Sequence, residues 1–159
     1  HYCLQWQDER SIDVCVLLSL LWVAARGGEF AEADILALDS VAADWRRGVT
    51  AALRTARRQA KTESELNPSA AECYEHLKNL ELATERHTLA QMQVFIEGRR
   101  SAQLSSVTSV ADMRSAVVSM LRQYLSQNTP DATLTSAVQD AMGQLLDGLT
   151  AALVDCCQD

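Results

Sequence analysis

Residues 14–25 read VCVLLSLLWVAA, an apolar run broken only by Ser19. No other stretch restricts so tightly what the chain can become. As a helix it would rise about 18 Å, well short of the ~30 Å hydrocarbon layer of a bilayer. It also lacks the basic flank and the small-x-small cleavage site of a secretory signal. The run must therefore be buried within protein on most of its sides, and it needs other elements packed around it.

The rest of the chain supplies helices for that purpose. With 159 residues it can bury one sizeable core, and its 48% apolar share excludes a disordered polymer. Six Gly and two Pro leave little turn material for a many-stranded β fold. His1 to Arg10 reads as the end of a helix. Ser11 or Asp13 can cap the apolar helix, which Gly27-Gly28 ends near Arg26. A short helix is expected from Ala31 to Leu38, and Asp39 or Ser40 can cap a longer one reaching Lys61. Along that helix Val41, Trp45, Val49, Ala52, Leu53, Ala56 and Ala60 recur with the period of one helical face.

Asn67-Pro68, an N-cap followed by a first-turn proline, opens a segment running to about Arg99. That segment has two apolar faces, one of Cys73, Leu77 and Leu80, the other of Leu82, Leu89, Met92 and Ile96. Two faces on one helix imply two partners or a bend. Ser101 to Ser106 reads as a linker. Ser109-x-x-Asp112 then resembles a capping box ahead of Val110, Met113, Val117, Met120, Leu121 and Tyr124. After the break at Asn128-Thr129-Pro130-Asp131, a last helix repeats Leu134, Val138, Met142, Leu145, Leu149 and Leu153. The expectation is an all-α fold: a helical bundle of five to six helices around the buried helix 14–25, with Trp22 and Trp45 in the core. A helical domain over 1–100 is followed by a C-terminal helical hairpin over 107–159, packed on the same core or on a second copy.

The formal charge of −7 is unevenly spread. Residues 1–44 hold eight acids against Arg10 and Arg26. Residues 45–62 hold Arg46, Arg47, Arg54, Arg57, Arg58 and Lys61 with no acid, and 63–97 hold seven acids against Lys78 and Arg86. On a helix Arg47, Arg54, Arg58 and Lys61 share a narrow stripe opposite Trp45 and Val49. This stripe can grip a partner, or it can pair with the acidic helix that follows. The acidic total disfavours a general nucleic-acid or anionic-membrane binder, and the stripe lacks stacking aromatics.

Cys3, Leu4, Trp6, Gln7 and Asp8, then Asp13-Val14, Leu17-Leu18 and Leu20-Leu21-Trp22-Val23-Ala24, form a recognisable series. It continues in Leu38-Asp39, Val41, Trp45-Arg46, Val49, Leu53-Arg54, Arg57-Arg58 and Lys61. The series resembles a bacterial family known only as a domain of unknown function. That family's pattern runs CLxLQD, GLDVNxLLxLLWLA and LxxLDxxVxxWRxxVxxxLRxxRRxLK. The likeness covers about residues 3–61 and continues weakly to 100, through Leu82-Ala83-x-Glu85-Arg86. Ser11 stands where the family has Gly, and Cys15 where it has Asn, so no role of that Asn carries over. The resemblance implies an all-helical, cytoplasmic bacterial protein with a further helical segment ahead of Cys3. It supplies no activity.

Catalytic chemistry finds little footing. No GxSxG or phosphate-cradling glycine loop occurs, and no catalytic residue is assigned. Cys73 and His76 share a helix face, but Glu72 and Glu75 oppose an activated thiolate. Zinc would need two further ligands, and Cys73 and Thr84 stand three residues before His76 and His87, where the two Glu-x-x-His motifs of a di-iron bundle would need their acids, so no metal or cofactor is expected. Gln7, Asp8 and Asp13 crowd one helix junction, which can be a small polar site for a ligand or metal or simply an N-cap. The five cysteines include no CxxC and suit reduced thiols in the cytoplasm. The expected function is a non-catalytic helical protein-interaction module, an adaptor or assembly subunit. Its partner would be a protein or another copy of itself, met through Arg47, Arg54, Arg58 and Lys61. The alternatives are a ligand-binding protein or enzyme using the Asp8/Asp13 junction, and nucleic-acid contact through the basic helix.

Overall fold

The computed structural model describes residues 13–99, 109–128 and 143. No strand occurs among them. The helices are α1 (Val14–Ala25), α2 (Glu32–Trp45), α3 (Ala51–Leu66), α4 (Ala71–Arg99) and α5 (Val110–Asn128). A π-helical turn, Arg46–Thr50, joins α2 to α3 without a break, and a 3-10 turn, Pro68–Ala70, leads into α4. The described residues thus form four helical rods, against the expected five to six. The expected helix at 1–10, the linker at 101–106 and the last helix from Leu134 to Leu153 lie outside the described residues, apart from helical Gly143.

Two compact units result, one containing the described residues up to Leu36 and those after Arg99, the other being Ala37–Arg99. In the first unit, Asp13 caps α1: its Oδ1 accepts from Cys15 N at 2.7 Å and Val16 N at 3.4 Å. Two N–H groups with no intrahelical partner are thereby satisfied. At the other end Gly27 takes φ 80°, Gly28 N donates to Val23 O and Gly27 N to Ala24 O, both at 2.9 Å. This is the Schellman ending, which needs a residue free to enter the left-handed region.

The apolar run is buried as its composition requires. Cys15, Val16, Leu17, Ser19, Leu20, Val23 and Ala24 are buried, and Leu18 marks the exposed edge. The opposing surface is α5, whose Ala116, Val117, Met120, Leu121, Tyr124 and Leu125 are buried at helical spacing. Ser109 starts α5 as a capping box: its Oγ accepts from Asp112 N at 3.2 Å and donates to Asp112 Oδ2 at 2.7 Å. A Cβ placed on Gly143 would stand 3.8 Å from Arg114 Nη2.

Neither Trp22 nor Trp45 is in the core. Trp22 is half-buried, with the Arg26 guanidinium 4.8 Å above its ring. It sits around the helix from the buried row Val16, Leu20 and Val23. Trp45 keeps 37% exposure. No break separates Leu38 from Asp39 either. Asp39 is not a cap: its Oδ1 accepts from Arg46 Nη1 at 2.8 Å, while Ser40 Oγ donates back to Ala37 O. A hydroxyl or carboxylate with a partner one or two turns away does not have to end a helix.

Candidate functional site

The second unit is an antiparallel helical hairpin. Asn67 sets its turn, with Oδ1 accepting from Ser69 N at 3.1 Å and Ser69 Oγ at 2.8 Å ahead of Pro68 at the first helical position. The basic helix α3 then lies along the acidic helix α4. Although α3 is strongly amphipathic in sequence, none of its residues is fully buried.

Charge and hydroxyl groups hold the two helices in line. Arg54 Nε donates to Glu81 Oε1 at 2.9 Å and its Nη2 to Glu85 Oε1 at 3.0 Å. Arg57 Nε donates to Glu81 Oε2. The Glu81 side chain is only 9% exposed, so two guanidiniums clasp one nearly buried carboxylate. Burial pushes that carboxyl up, but the hydrogen bonds from Arg57 and Arg54, with the charges behind them, outweigh it and hold Glu81 below the ordinary carboxylate range. The same hydrogen bond raises Arg57, against a smaller opposing effect of burial. One turn further along, Thr50 Oγ1 donates to Thr84 Oγ1 at 3.2 Å, which donates to Glu81 O at 2.7 Å. Thr50 is the last residue of the π turn, an irregularity often found where a helix must re-aim a side chain.

The expected stripe is thereby divided. Arg54 turns inward onto Glu81 and Glu85. Arg47, 72% exposed, pairs with Asp44 in its own helical stretch. Arg58 and Lys61 are exposed on the outer side of α3. Glu81 was not singled out from the sequence, and Arg57 and Thr84 were named there without being placed in a site. The signal was present in the two pairs of like charges, Arg54 with Arg57 and Glu81 with Glu85, spaced three and four residues apart in helices of opposite sign.

At the other expected site, the Asp13 carboxylate is engaged as the cap of α1, and the Asp13 N–H donates to the Tyr124 hydroxyl at 3.2 Å. Gln7 and Asp8 lie outside the described residues. Among the described residues no group of three or more His, Cys, Asp or Glu could hold a metal ion. Cys73 and His76 are both exposed on α4. No helix among the described residues is long and apolar enough to cross a membrane.

These features define an all-helical protein that, among the described residues, joins a basic and an acidic helix in an ion-paired hairpin. Residues 1–92 match the family described as "Protein of unknown function (DUF2390)", and the chain belongs to that family. The match takes in α1 to α3 and most of α4 and stops before α5. No curated protein and no solved structure matches the chain.

Proposed function

We propose that this protein is a non-catalytic helical interaction module, an adaptor or assembly subunit that presents the outer basic face of α3 to an acidic protein surface. The observation that carries this reading is the division of labour on α3. Arg54 and Arg57 hold the hairpin together across its seam, while Arg58 and Lys61 are exposed on α3 and Arg47, in the π turn ahead of it, is exposed beside Asp44. Three cations on one rigid helix steer an acidic partner and set its register more than they add raw affinity. The absence of interleaved aromatics among them favours protein over single-stranded nucleic acid. A cytoplasmic setting accords with the free thiols of Cys15 and Cys73.

The test is a comparison of two charge reversals. Arg58→Glu with Lys61→Glu is expected to remove captured acidic partners from a native extract while lowering the unfolding temperature by less than Arg54→Glu does. Arg54→Glu is expected to lower that temperature, because it places a third carboxylate beside Glu81 and Glu85. Unchanged capture by the Arg58/Lys61 variant would refute the reading.

A further inference from the structure

Helix α4 carries two exposed rows, in which, among the described residues, only His87 meets another part of its own hairpin. Cys73, Leu80, His87 and Val94 recur every seventh residue, and Glu72, Asn79 and Arg86 recur every seventh residue beside them. All seven side chains are exposed, Leu80 at 53% and Val94 at 71%. Trp45 widens the apolar row by stacking on His87, with ring centroids 4.8 Å apart. An apolar patch of this kind, bordered by polar groups, is the usual mark of a contact surface. A seven-residue repeat is also the spacing that keeps a seam facing a second helix at a shallow crossing angle.

The polar row says what that second helix is. Glu72 and Arg86 stand seven residues to either side of Asn79, about 10.5 Å along the axis in each direction. Neither takes part in an ion pair among the described residues. Read backwards, the row has the opposite charge at each end and the same neutral amide in the middle. It is therefore complementary to itself in the antiparallel sense and to no uniformly charged surface. We propose that a second copy of this chain docks antiparallel on this face of α4, with the two-fold axis at Asn79 and Leu80. Leu80 then meets Leu80 of the second copy, Cys73 meets its His87, and Glu72 meets its Arg86 twice over. An isologous contact of this kind closes as a dimer. It makes no use of Arg47, Arg58 or Lys61, so it extends beyond the interaction-module reading and the two can fail separately.

Sedimentation equilibrium of the whole chain under reducing conditions tests it. The expected result is a concentration-dependent monomer–dimer equilibrium in the micromolar range. Glu72→Arg and Arg86→Glu should each weaken the dimer about tenfold, since each replaces two attractions with two repulsions. The double variant should restore it. Leu80→Glu should leave only monomer, and a helical circular dichroism spectrum will show that the fold survives. Should it not survive, the exchange of two exposed charges still decides the matter. Under oxidising conditions His87→Cys should give a disulfide to Cys73 of the second copy, mapped by mass spectrometry. A monomer at every concentration overturns the proposal, and so does a dimer indifferent to these substitutions or a double variant no better than either single one.

Discussion

The Asp13 N–H donates to the Tyr124 hydroxyl at 3.2 Å, across 111 residues of chain. One end of that contact lies in the family-matching part and the other in α5, beyond it. Tyr124 is 2% exposed, so its hydroxyl is a polar group held inside the unit that α1 and α5 build. Tyr124→Phe should leave that N–H without its acceptor and cost about 1–2 kcal/mol. Chemical denaturation checks this: the midpoint should fall with the slope unchanged.

The Asp13 carboxylate contributes separately. Asp13→Ala removes the acceptor for two amide groups at the start of α1 and should destabilise by about 1 kcal/mol. Asp13→Asn keeps a capping oxygen and should recover most of that loss, which equilibrium unfolding of both variants will show.

Glu81 makes stability depend on pH in a defined direction. Its folded-state pKa lies below the ordinary value, so its contribution is present in full above about pH 5. That contribution is lost as pH falls through the carboxylate range towards the lower folded-state value. Thermal unfolding between about pH 3 and 7 should show this acid loss, and Glu81→Gln should flatten the curve. At neutral pH the same substitution leaves Arg54 and Arg57 facing a neutral amide and should cost about 2–3 kcal/mol.

Gly48 lies inside the π turn, and a Cβ there would meet nothing within 4 Å. Its φ is not in the left-handed region. Gly48→Ala should therefore stabilise the protein by about 0.5–1 kcal/mol through the unfolded state. A rise in unfolding temperature without a change in circular dichroism is the expected result.

Much of this architecture could be read from the chain. The run at 14–25, its Asp13 cap and its Gly27-Gly28 ending are strong local signals, and each stands where the residues put it. The capping box at Ser109 and the start at Asn67-Pro68 are of the same kind. Periodicity was less decisive where two helices meet end to end. Asp39 and Ser40 carry the chemistry of a cap, yet a side-chain partner at Arg46 and a carbonyl at Ala37 use that chemistry within a continuous helix. The tryptophans misled for another reason. Size and apolarity argue for burial, but which side of a helix faces its neighbour is set by long-range pairing. Here Thr50–Thr84 and Arg54–Glu81 turn Trp45 to the side. The basic stripe was legible as a stripe, whereas its division into inward and outward arginines depends on how α3 is rotated against α4.

Two smooth apolar rods can slide past one another by a turn at little cost, because one leucine replaces another. A carboxylate gripped by Arg54 and Arg57 from two sides resists such a slip: the three ion pairs must break together, and Glu85, one turn away, can take the place of Glu81 in one direction only. The Glu81 clasp therefore works as a detent for the hairpin. Leucines at 54, 57, 81 and 85 would leave a pair of helices that still adhere but no longer hold a single alignment.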